Sequence, residues 1–479
     1  MCALSLCGLG VLAPSARAQT GAQEPIRVES KEVFVPILVL DKRRAGKIRD
    51  MDEAPFYGQA TGANAHLLTD VAVSGLSAKD FRILDDGSEQ KIERVTLEPF
   101  YGDDRGAGVG KWVGPDVGPI TGVPITPPHW PCYLIVYEQP PSARGSCHQI
   151  VVKVDRPNSL IYTRGGYCNL GDSAADPLVG TKIGARMEEY LNAGKEGGIG
   201  LSLAAFNSFG KTNQIVTNIV LGFPAKAQRS FDCYDPPDID VLGIVYAKDG
   251  TVAARFSDLE NLGVWSFVGE TIPALLPQTP TTRCVMVGVP DQYETQLDLA
   301  PGNYNLQVIF RDGGKFGTAE TRISVAAFDE KQIAVSDVAL AATYHQLATE
   351  PQHIGAVLPQ AYVPLVSKGF EVTPAADTHF RKGKPFYFYF EIYVPQPPGL
   401  PAKMIQAHLR IVDSKSGEVV KSLEPANAAP YAKDGDPVIP IGGGIDISAL
   451  PNGSYRLDVQ ATDSAGNATP WRSVDFTIE

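Results

Sequence analysis

The stretch LAPGNYNLQVIFRDGG, residues 299–314, recurs as LPNGSYRLDVQATDSAG, residues 450–466, at an offset of 151 positions. In both copies apolar and polar residues mostly alternate after a tyrosine, which predicts a half-buried β-strand. Turn residues flank each strand. The repeat therefore indicates a structural unit used once in each of two domains. The shared positions are Leu299 and Leu450, Gly302 and Gly453, Tyr304 and Tyr455, Leu306 and Leu457, Val308 and Val459, and Asp312 and Asp463.

The composition indicates a folded chain of short elements. It has 479 residues, 44% of them hydrophobic, which predicts about three domains with apolar cores. Frequent turns are indicated by 47 glycines and 38 prolines. We predict an all-β fold of tandem immunoglobulin-like β-sandwich domains with one or two short helices. The net charge of -12 argues against a nucleic-acid partner, which requires a basic face.

Domain boundaries follow from shifts in this pattern. Each copy of the repeat lies downstream of its own strand–turn–strand segment, so each belongs to a separate sandwich. The segment TKIGARMEEYLNAG places Ile183, Met187, Tyr190 and Leu191 at helical spacing. We predict a signal peptide over 1–18, an N-terminal β-sandwich over 29–168 with a Gly/Pro-rich loop over 101–131, and a short helix and linker over 181–199. A middle β-sandwich over 200–325 follows, then a connector over 326–363 with some helical tendency around Ala339–Leu347, and a C-terminal immunoglobulin-like domain over 364–479.

The first residues predict export. An apolar stretch precedes Ala16-Arg17-Ala18, a small-x-small pattern typical of signal-peptide cleavage after Ala18. No later segment has the roughly 18 uninterrupted apolar residues of a membrane-spanning helix. We therefore expect a secreted or periplasmic protein that does not span the membrane.

Five cysteines follow the predicted signal peptide, and export permits them to form disulfides. A hairpin about Arg156-Pro157-Asn158 would bring Cys147 close to Cys168. Cys233 and Cys284 lie within the predicted middle domain and are the second candidate pair. Because no cysteine pair and no histidine pair has ligand spacing, we predict no metal site and no cofactor.

An aromatic run, FYFYFEIY over 386–393, is the candidate contact surface. Strand alternation places Phe386, Phe388 and Phe390 on one face, which we interpret as core. Tyr387 and Tyr389 lie on the other face, where exposed rings could stack on sugars.

Two segments resemble bacterial von Willebrand factor A-related secreted proteins. The first comprises VFVPILVLD and VSGLSAKDFRILDDGSEQKI; the second is YLIVYEQPPSARGSCHQIVVKVDRPNSLIYTRGGY. In that family an A domain with an Asp-x-Ser-x-Ser metal motif lies between them. Here only residues 101–131 intervene and the motif is absent. The resemblance therefore implies a protein without its A domain, in which residues 29–100 and 132–168 pair into one sandwich.

Catalytic motifs are incomplete. Gly171-Asp172-Ser173 resembles the nucleophile block of GDSL-type hydrolases, but Asp377-Thr378-His379 is one residue short of their Asp-x-x-His motif. For Asp312 and Asp463 we favour turn capping over calcium binding.

We therefore predict no catalytic residues and a non-enzymatic binding or scaffold protein of the cell envelope. Its expected partner is an envelope protein or polysaccharide. The alternative is an accessory carbohydrate-binding protein that uses Tyr387 and Tyr389. A serine hydrolase that uses Ser173 is less favoured.

Overall fold

The chain folds into antiparallel β-sandwiches, as the sequence predicted. The computed structural model describes residues 32–45, 71–101, 110–113, 129–163, 165–170, 178–194, 197–210, 215–224, 228–232, 239–259, 283–287, 291–327, 329–346, 363–383, 386–395, 405–433 and 435–479. The predicted signal peptide, Ser173 and Cys233 lie outside these residues.

The N-terminal sandwich encloses an aliphatic and aromatic core between two four-stranded sheets. This part of the chain contains β1 (Glu32–Asp41), α1 (Lys42–Ala45), a 3-10 turn (Ala78–Asp80), β2 (Phe81–Asp85), β3 (Ser88–Gln90), β4 (Ile92–Tyr101), β5 (Gly110–Val113), β6 (His129–Glu138), β7 (Cys147–Val154), β8 (Ser159–Thr163) and β9 (Gly166–Cys168). The sheet orders are β4-β6-β1-β8 and β3-β2-β7-β9, while β5 belongs to the next domain. β1 is a buried central strand, as expected from its continuous apolar run.

Strands β7 and β8 do not form the predicted hairpin about Arg156-Pro157-Asn158. β8 pairs with β1 in one sheet, whereas β9 pairs with β7 in the other. The chain thus passes between sheets, because pairing with the central β1 satisfies the backbone of β8. Cys147 nevertheless lies opposite Cys168, through the β7–β9 pairing, and a disulfide joins the two residues.

The middle sandwich has two four-stranded sheets and a separate two-stranded ribbon. Its strands are β10 (Ser202–Phe209), β11 (Ile215–Gly222), β12 (Gln228–Asp232), β13 (Ile239–Ala247), β14 (Val252–Leu259), β15 (Arg283–Val287), β16 (Gln292–Leu297), β17 (Gly302–Asp312) and β18 (Lys315–Val325). The sheet orders are β10-β11-β16-β5 and β14-β13-β17-β18, and β12 pairs with β15.

The predicted loop over 101–131 contains ordered strand structure, which corrects that prediction. β5 pairs antiparallel with β16, and β6 already begins at His129. Edge pairing explains the strand despite its glycine-rich surroundings, because an extended segment satisfies the open hydrogen-bonding groups of β16.

The predicted helix is present and covers the outer face of the β14-β13-β17-β18 sheet. Helix α2 (Lys182–Asn192) begins after Thr181, whose hydroxyl accepts a hydrogen bond from the N–H of Gly184 at 2.9 Å. Met187 and Leu191 pack with Ile309 of β17, whereas Ile183 is 37% exposed. Ile309 breaks the apolar–polar alternation of the repeat because α2 buries the face that would otherwise meet water.

One sheet of the C-terminal sandwich repeats the strand order of a sheet of the middle sandwich. Its elements are β19 (Ala334–Val335), β20 (Ala339–Gln346), β21 (Val366–Ser367), β22 (Phe370–Pro374), β23 (His379–Phe380), β24 (Tyr387–Tyr393), β25 (Gln406–Asp413), β26 (Val419–Ser422), β27 (Ala426–Asn427), a 3-10 turn (Ala429–Tyr431), β28 (Val438–Gly444), β29 (Gly453–Thr462) and β30 (Arg472–Ile478). One sheet runs β19-β24-β20-β22-β21, with β28 on β24. The other runs β23-β30-β29-β25-β26, with β27 on β25.

The prediction of helical tendency around Ala339 is wrong, because this segment forms strand β20. It pairs with β22 and β24, and Ala339 and Ala341 are buried in that sheet. The predicted connector over 326–363 therefore contains β19 and β20, two strands of the C-terminal sandwich. Tertiary pairing overrides the intrinsic helical preference of its alanines.

The repeat forms a tyrosine corner in the middle sandwich and another in the C-terminal sandwich. β17 and β29 occupy equivalent places in the orders β14-β13-β17-β18 and β26-β25-β29-β30. The Tyr304 hydroxyl donates to the carbonyl of Ala300 at 2.7 Å, and that of Tyr455 donates to Pro451 at 2.8 Å. Such a bond to the backbone upstream is a hallmark of immunoglobulin-type sandwiches. Gly302 leaves room for the ring, since an added Cβ would lie 3.1 Å from the Tyr304 hydroxyl oxygen.

Removing one corner hydrogen bond should destabilise the C-terminal sandwich measurably. We expect Tyr455→Phe to lower its free energy of unfolding by about 1 kcal/mol, because the Pro451 carbonyl loses its donor. Urea unfolding of the full chain measures the change. Ser454→Ala, at the exposed neighbouring position, is the control, and equal stability of the two variants would contradict the assignment.

The disulfide should stabilise the N-terminal sandwich. Cys147 and Cys168 are 21 residues apart, so the chain-entropy relation gives about 3 kcal/mol for closing this loop. We expect a reductant to lower the melting temperature of the native protein but to have no further effect on the Cys147→Ser/Cys168→Ser variant. An equal effect of reductant on both proteins would assign the change to other cysteines.

Candidate functional site

The tyrosine face of β24 is covered by the middle sandwich, which corrects its prediction as a contact surface. Tyr389 is only 3% exposed, and Tyr387 is partly buried. Tyr389 packs with Phe206 and Val220 of the middle sandwich in one apolar cluster, against which Tyr387 also packs. The opposite face is core, as predicted, with Phe386, Phe388 and Phe390 all buried. We call the contact between these two sandwiches the junction.

Glu391 is the charged centre of the junction. It follows Tyr389 on the same face of β24 and is 4% exposed. One carboxylate oxygen accepts a hydrogen bond from the Tyr389 hydroxyl at 2.7 Å, and the other accepts one from the N–H of Phe209, across the junction on β10, at 2.5 Å. The Glu391 N–H donates to the Ser336 hydroxyl at 2.8 Å. The carboxyl group therefore links the two sandwiches directly.

Burial controls the protonation of this group. It raises the pKa of Glu391 from 4.5 to about 7, although the hydrogen bonds from Tyr389 and Phe209 act in the opposite direction. Burial, with the nearby Glu391 carboxylate, also raises the pKa of Tyr389 well above its usual value of 10. The Glu391 carboxyl group therefore changes its protonation state near neutral pH, whereas the Tyr389 hydroxyl stays protonated and remains a hydrogen-bond donor.

Further hydrogen bonds connect the middle and C-terminal sandwiches across the junction. The side-chain amide of Asn207 donates to the Asp337 carboxylate at 2.6 Å, and the Asp337 N–H donates to the Asn207 carbonyl at 3.0 Å. The side chain of Gln296 both donates to and accepts from the backbone of Val363, at 2.7 and 2.8 Å. These bonds set both the distance and the rotation between the domains.

A second polar cluster lies in the N-terminal sandwich at the end of the β2–β7 pair. Asp85 closes β2 and is 2% exposed. Its Oδ2 accepts hydrogen bonds from the hydroxyls of Tyr137 at 2.8 Å and Tyr167 at 2.7 Å. Its Oδ1 lies 2.9 Å from Nδ1 of His148, which is 8% exposed. Burial, followed by the hydrogen bond to Asp85, raises the pKa of the Tyr167 hydroxyl, which keeps it protonated as a donor.

Asp86 completes the cluster from the β2–β3 turn. Its Oδ1 accepts the N–H of Gln149 at 2.8 Å, and its own N–H donates to the carbonyl of Gln149 at 2.9 Å. Its Oδ2 lies 3.0 Å from the same His148 nitrogen. In the described part of the chain, Asp85, Asp86 and His148 thus bring three potential ligand atoms within 4.8 Å of one another.

Ser146 gives this cluster the order of a Ser–His–Asp triad but not its hydrogen bonding. The Ser146 hydroxyl lies 3.4 Å from Nε2 of His148, while it donates to the carbonyl of Ala143 at 2.6 Å. Its proton is therefore directed away from the imidazole. A nucleophilic serine needs the base as its hydrogen-bond acceptor, so we assign no catalytic role to Ser146.

The remaining candidates have structural positions or lie outside the described residues. Asp463 accepts the N–H groups of Ala465 and Asn467, each at 2.9 Å, which is the turn-capping arrangement. Asp312 ends β17 and lies opposite Lys315 in the backbone pairing of β17 with β18. The Cys233–Cys284 pair falls partly outside the described residues.

Sequence reasoning missed both polar clusters. Asp85 and His148 are separated by 63 positions, so no short spacing connects them. Glu391 had a readable signal, because it is a single acidic residue in an otherwise apolar strand and shares a face with Tyr389. Its burial still depended on the docking of another domain.

The fold assignment rests on the strand topology and not on similarity to known proteins. No protein-family model and no curated protein matches this chain. It is similar to the solved fibronectin(III)-like modules of Clostridium thermocellum CbhA at 12% identity, covering 58% of this chain and 94% of that one, with a TM-score of 0.14. A TM-score this low does not support an assignment of fold or function. The sheet orders and paired tyrosine corners define the chain as an all-β protein of tandem immunoglobulin-like sandwiches.

Of the described helices, none is both long and apolar enough to cross a membrane.

Glu391 should make folding stability decrease as pH rises. Between pH 4.5 and about 7 the unfolded chain loses a proton that the folded protein retains, so the free energy of unfolding falls by up to about 3 kcal/mol. We expect Glu391→Gln to flatten this dependence in urea unfolding from pH 5 to 8. Exposed Glu418→Gln is the control, and an unchanged slope in Glu391→Gln would refute the assignment.

Proposed function

We propose that this protein is an exported, non-enzymatic binding or scaffold module that holds a partner in the cell envelope. In this proposal the tandem sandwiches present one fixed surface. The von Willebrand factor A-related resemblance and the signal-like first residues support the extracellular location. The partner is an envelope protein or polysaccharide.

The observation that carries the proposal is the junction. Two sandwiches joined only by a linker move independently as a rule, because contacts between domains are often small. Here Tyr389 and Phe206 share an apolar cluster, and Glu391 accepts a backbone N–H from the neighbouring domain. A rigid tandem loses little conformational entropy when a partner contacts both domains at once.

We do not propose that Tyr387 and Tyr389 stack on sugars, because the middle sandwich covers this face of β24. The polysaccharide form of the proposal therefore requires another surface.

Loosening the junction tests this function. We expect Phe206→Ala to remove about 3 kcal/mol of packing from the junction and to increase the maximum dimension measured by small-angle X-ray scattering. The same variant, used as bait in envelope extract, should retain less of the partner than the native chain does. Val419→Ala, an exposed aliphatic change in the C-terminal sandwich, is the matched control.

Two results would overturn the proposal. One is an ester, peptide or glycan hydrolase activity that survives repurification of the native chain. The other is undiminished partner retention by a Phe206→Ala protein whose scattering shows the domains to be separated.

A further inference from the structure

We propose that Asp85, Asp86 and His148 form a binding site for a divalent first-row transition-metal ion in the N-terminal sandwich. The site is separate from the junction and does not depend on the binding function proposed above. Its ligands are one oxygen from each carboxylate and Nδ1 of the imidazole.

Each carboxylate has one oxygen held by the protein and the other directed at the same point. Tyr137 and Tyr167 occupy Oδ2 of Asp85, which leaves Oδ1 facing His148. The N–H of Gln149 occupies Oδ1 of Asp86, which leaves Oδ2 facing the same imidazole nitrogen. Hydrogen bonds to the distal oxygens orient metal-binding carboxylates in this way.

Two of the three ligand–ligand distances match those around a small divalent ion, and all three ligand atoms lie within 4.8 Å of one another. Neighbouring octahedral ligands bound at about 2.1 Å lie about 3.0 Å apart. Nδ1 of His148 is 2.9 Å from Asp85 Oδ1 and 3.0 Å from Asp86 Oδ2. At calcium distances these edges would lengthen to about 3.3–3.7 Å. The imidazole ligand favours zinc, iron, nickel or copper over calcium or magnesium, and the two carboxylates also suit manganese.

Solvent access and the contact at Nε2 of His148 also suit binding. The Asp86 side chain is 55% exposed, so an ion can enter from solvent and keep water in its remaining positions. With metal, neutral His148 carries its proton on Nε2, where the Ser146 oxygen lies 3.4 Å away. That nitrogen–oxygen contact stabilises the required tautomer.

The stacked ring of Tyr167 holds the imidazole in place. Its plane lies 5° from that of His148, with the ring centroids 4.8 Å apart. The disulfide at Cys147 anchors the backbone next to the ligand. Binding therefore requires little rearrangement, which preserves affinity.

Asp86→Asn is the decisive variant. The amide keeps an oxygen for the N–H of Gln149 and tolerates the positive φ of 48° at this position, but it replaces the ligand oxygen with NH₂. Asp249→Asn is a closely matched control. Asp249 also precedes a positive-φ glycine in a hairpin turn, and its Oδ1 accepts the N–H of Thr251 at 3.0 Å.

The experiment uses the full chain, freed of any polyhistidine tag and stripped with a chelator. Equilibrium dialysis against MnCl₂ and, separately, ZnCl₂ measures bound metal. We expect at least one of these ions to bind at one equivalent per chain. Asp86→Asn should weaken that binding by at least about tenfold, while Asp249→Asn leaves it unchanged. With Zn²⁺, which is diamagnetic, ¹⁵N spectra of the imidazoles should show the His148 proton on Nε2, and His148→Gln should remove both this signal and the binding.

Two results would overturn the site. One is the absence of a stoichiometric equivalent of either ion on the native chain. The other is native affinity in folded Asp86→Asn and His148→Gln proteins, which would place the ion on other groups, such as cysteine thiols.

Discussion

The arrangement of the middle and C-terminal sandwiches depends on one constraint, the burial of the Tyr389–Glu391 face of β24. A sandwich strand ordinarily has one face in the core and the other in water. β24 has aromatic rings on both faces, so both faces require cover. The middle sandwich supplies the second cover and also donates the N–H of Phe209 to Glu391. A buried carboxylate tolerates this position only because specific donors meet it there.

The middle and C-terminal sandwiches are each stabilised internally by a tyrosine corner. The tyrosine corners of β17 and β29 fix the turn that leads into a central strand, and the same strand order surrounds them in both domains. The corners act within domains, whereas the junction acts between them. Helix α2 adds a third layer by covering Ile309. The described structure thus combines repeated units with contacts that differ from one unit to the next.

Local alternation predicted individual strands well and their surroundings poorly. It identified β17, β29 and the phenylalanine face of β24, because a period of two depends only on neighbouring residues. It failed at Tyr389, since exposure depends on which domain docks there. Strands β5 and β20 were missed for a related reason: their conformation comes from pairing with β16 and β24, and not from their own composition.

The sequence alone determined the all-β class, the repeated unit, helix α2 and the apolar face of each central strand. Periodicity and turn chemistry act over a few residues and are therefore visible in the chain. Only the tertiary structure decided that Glu391 is buried and that Asp85, Asp86 and His148 meet around one point. These groups approach one another through sheet pairing and domain docking. Such contacts join residues distant in sequence, and their free energy depends on burial and distance that no local pattern records.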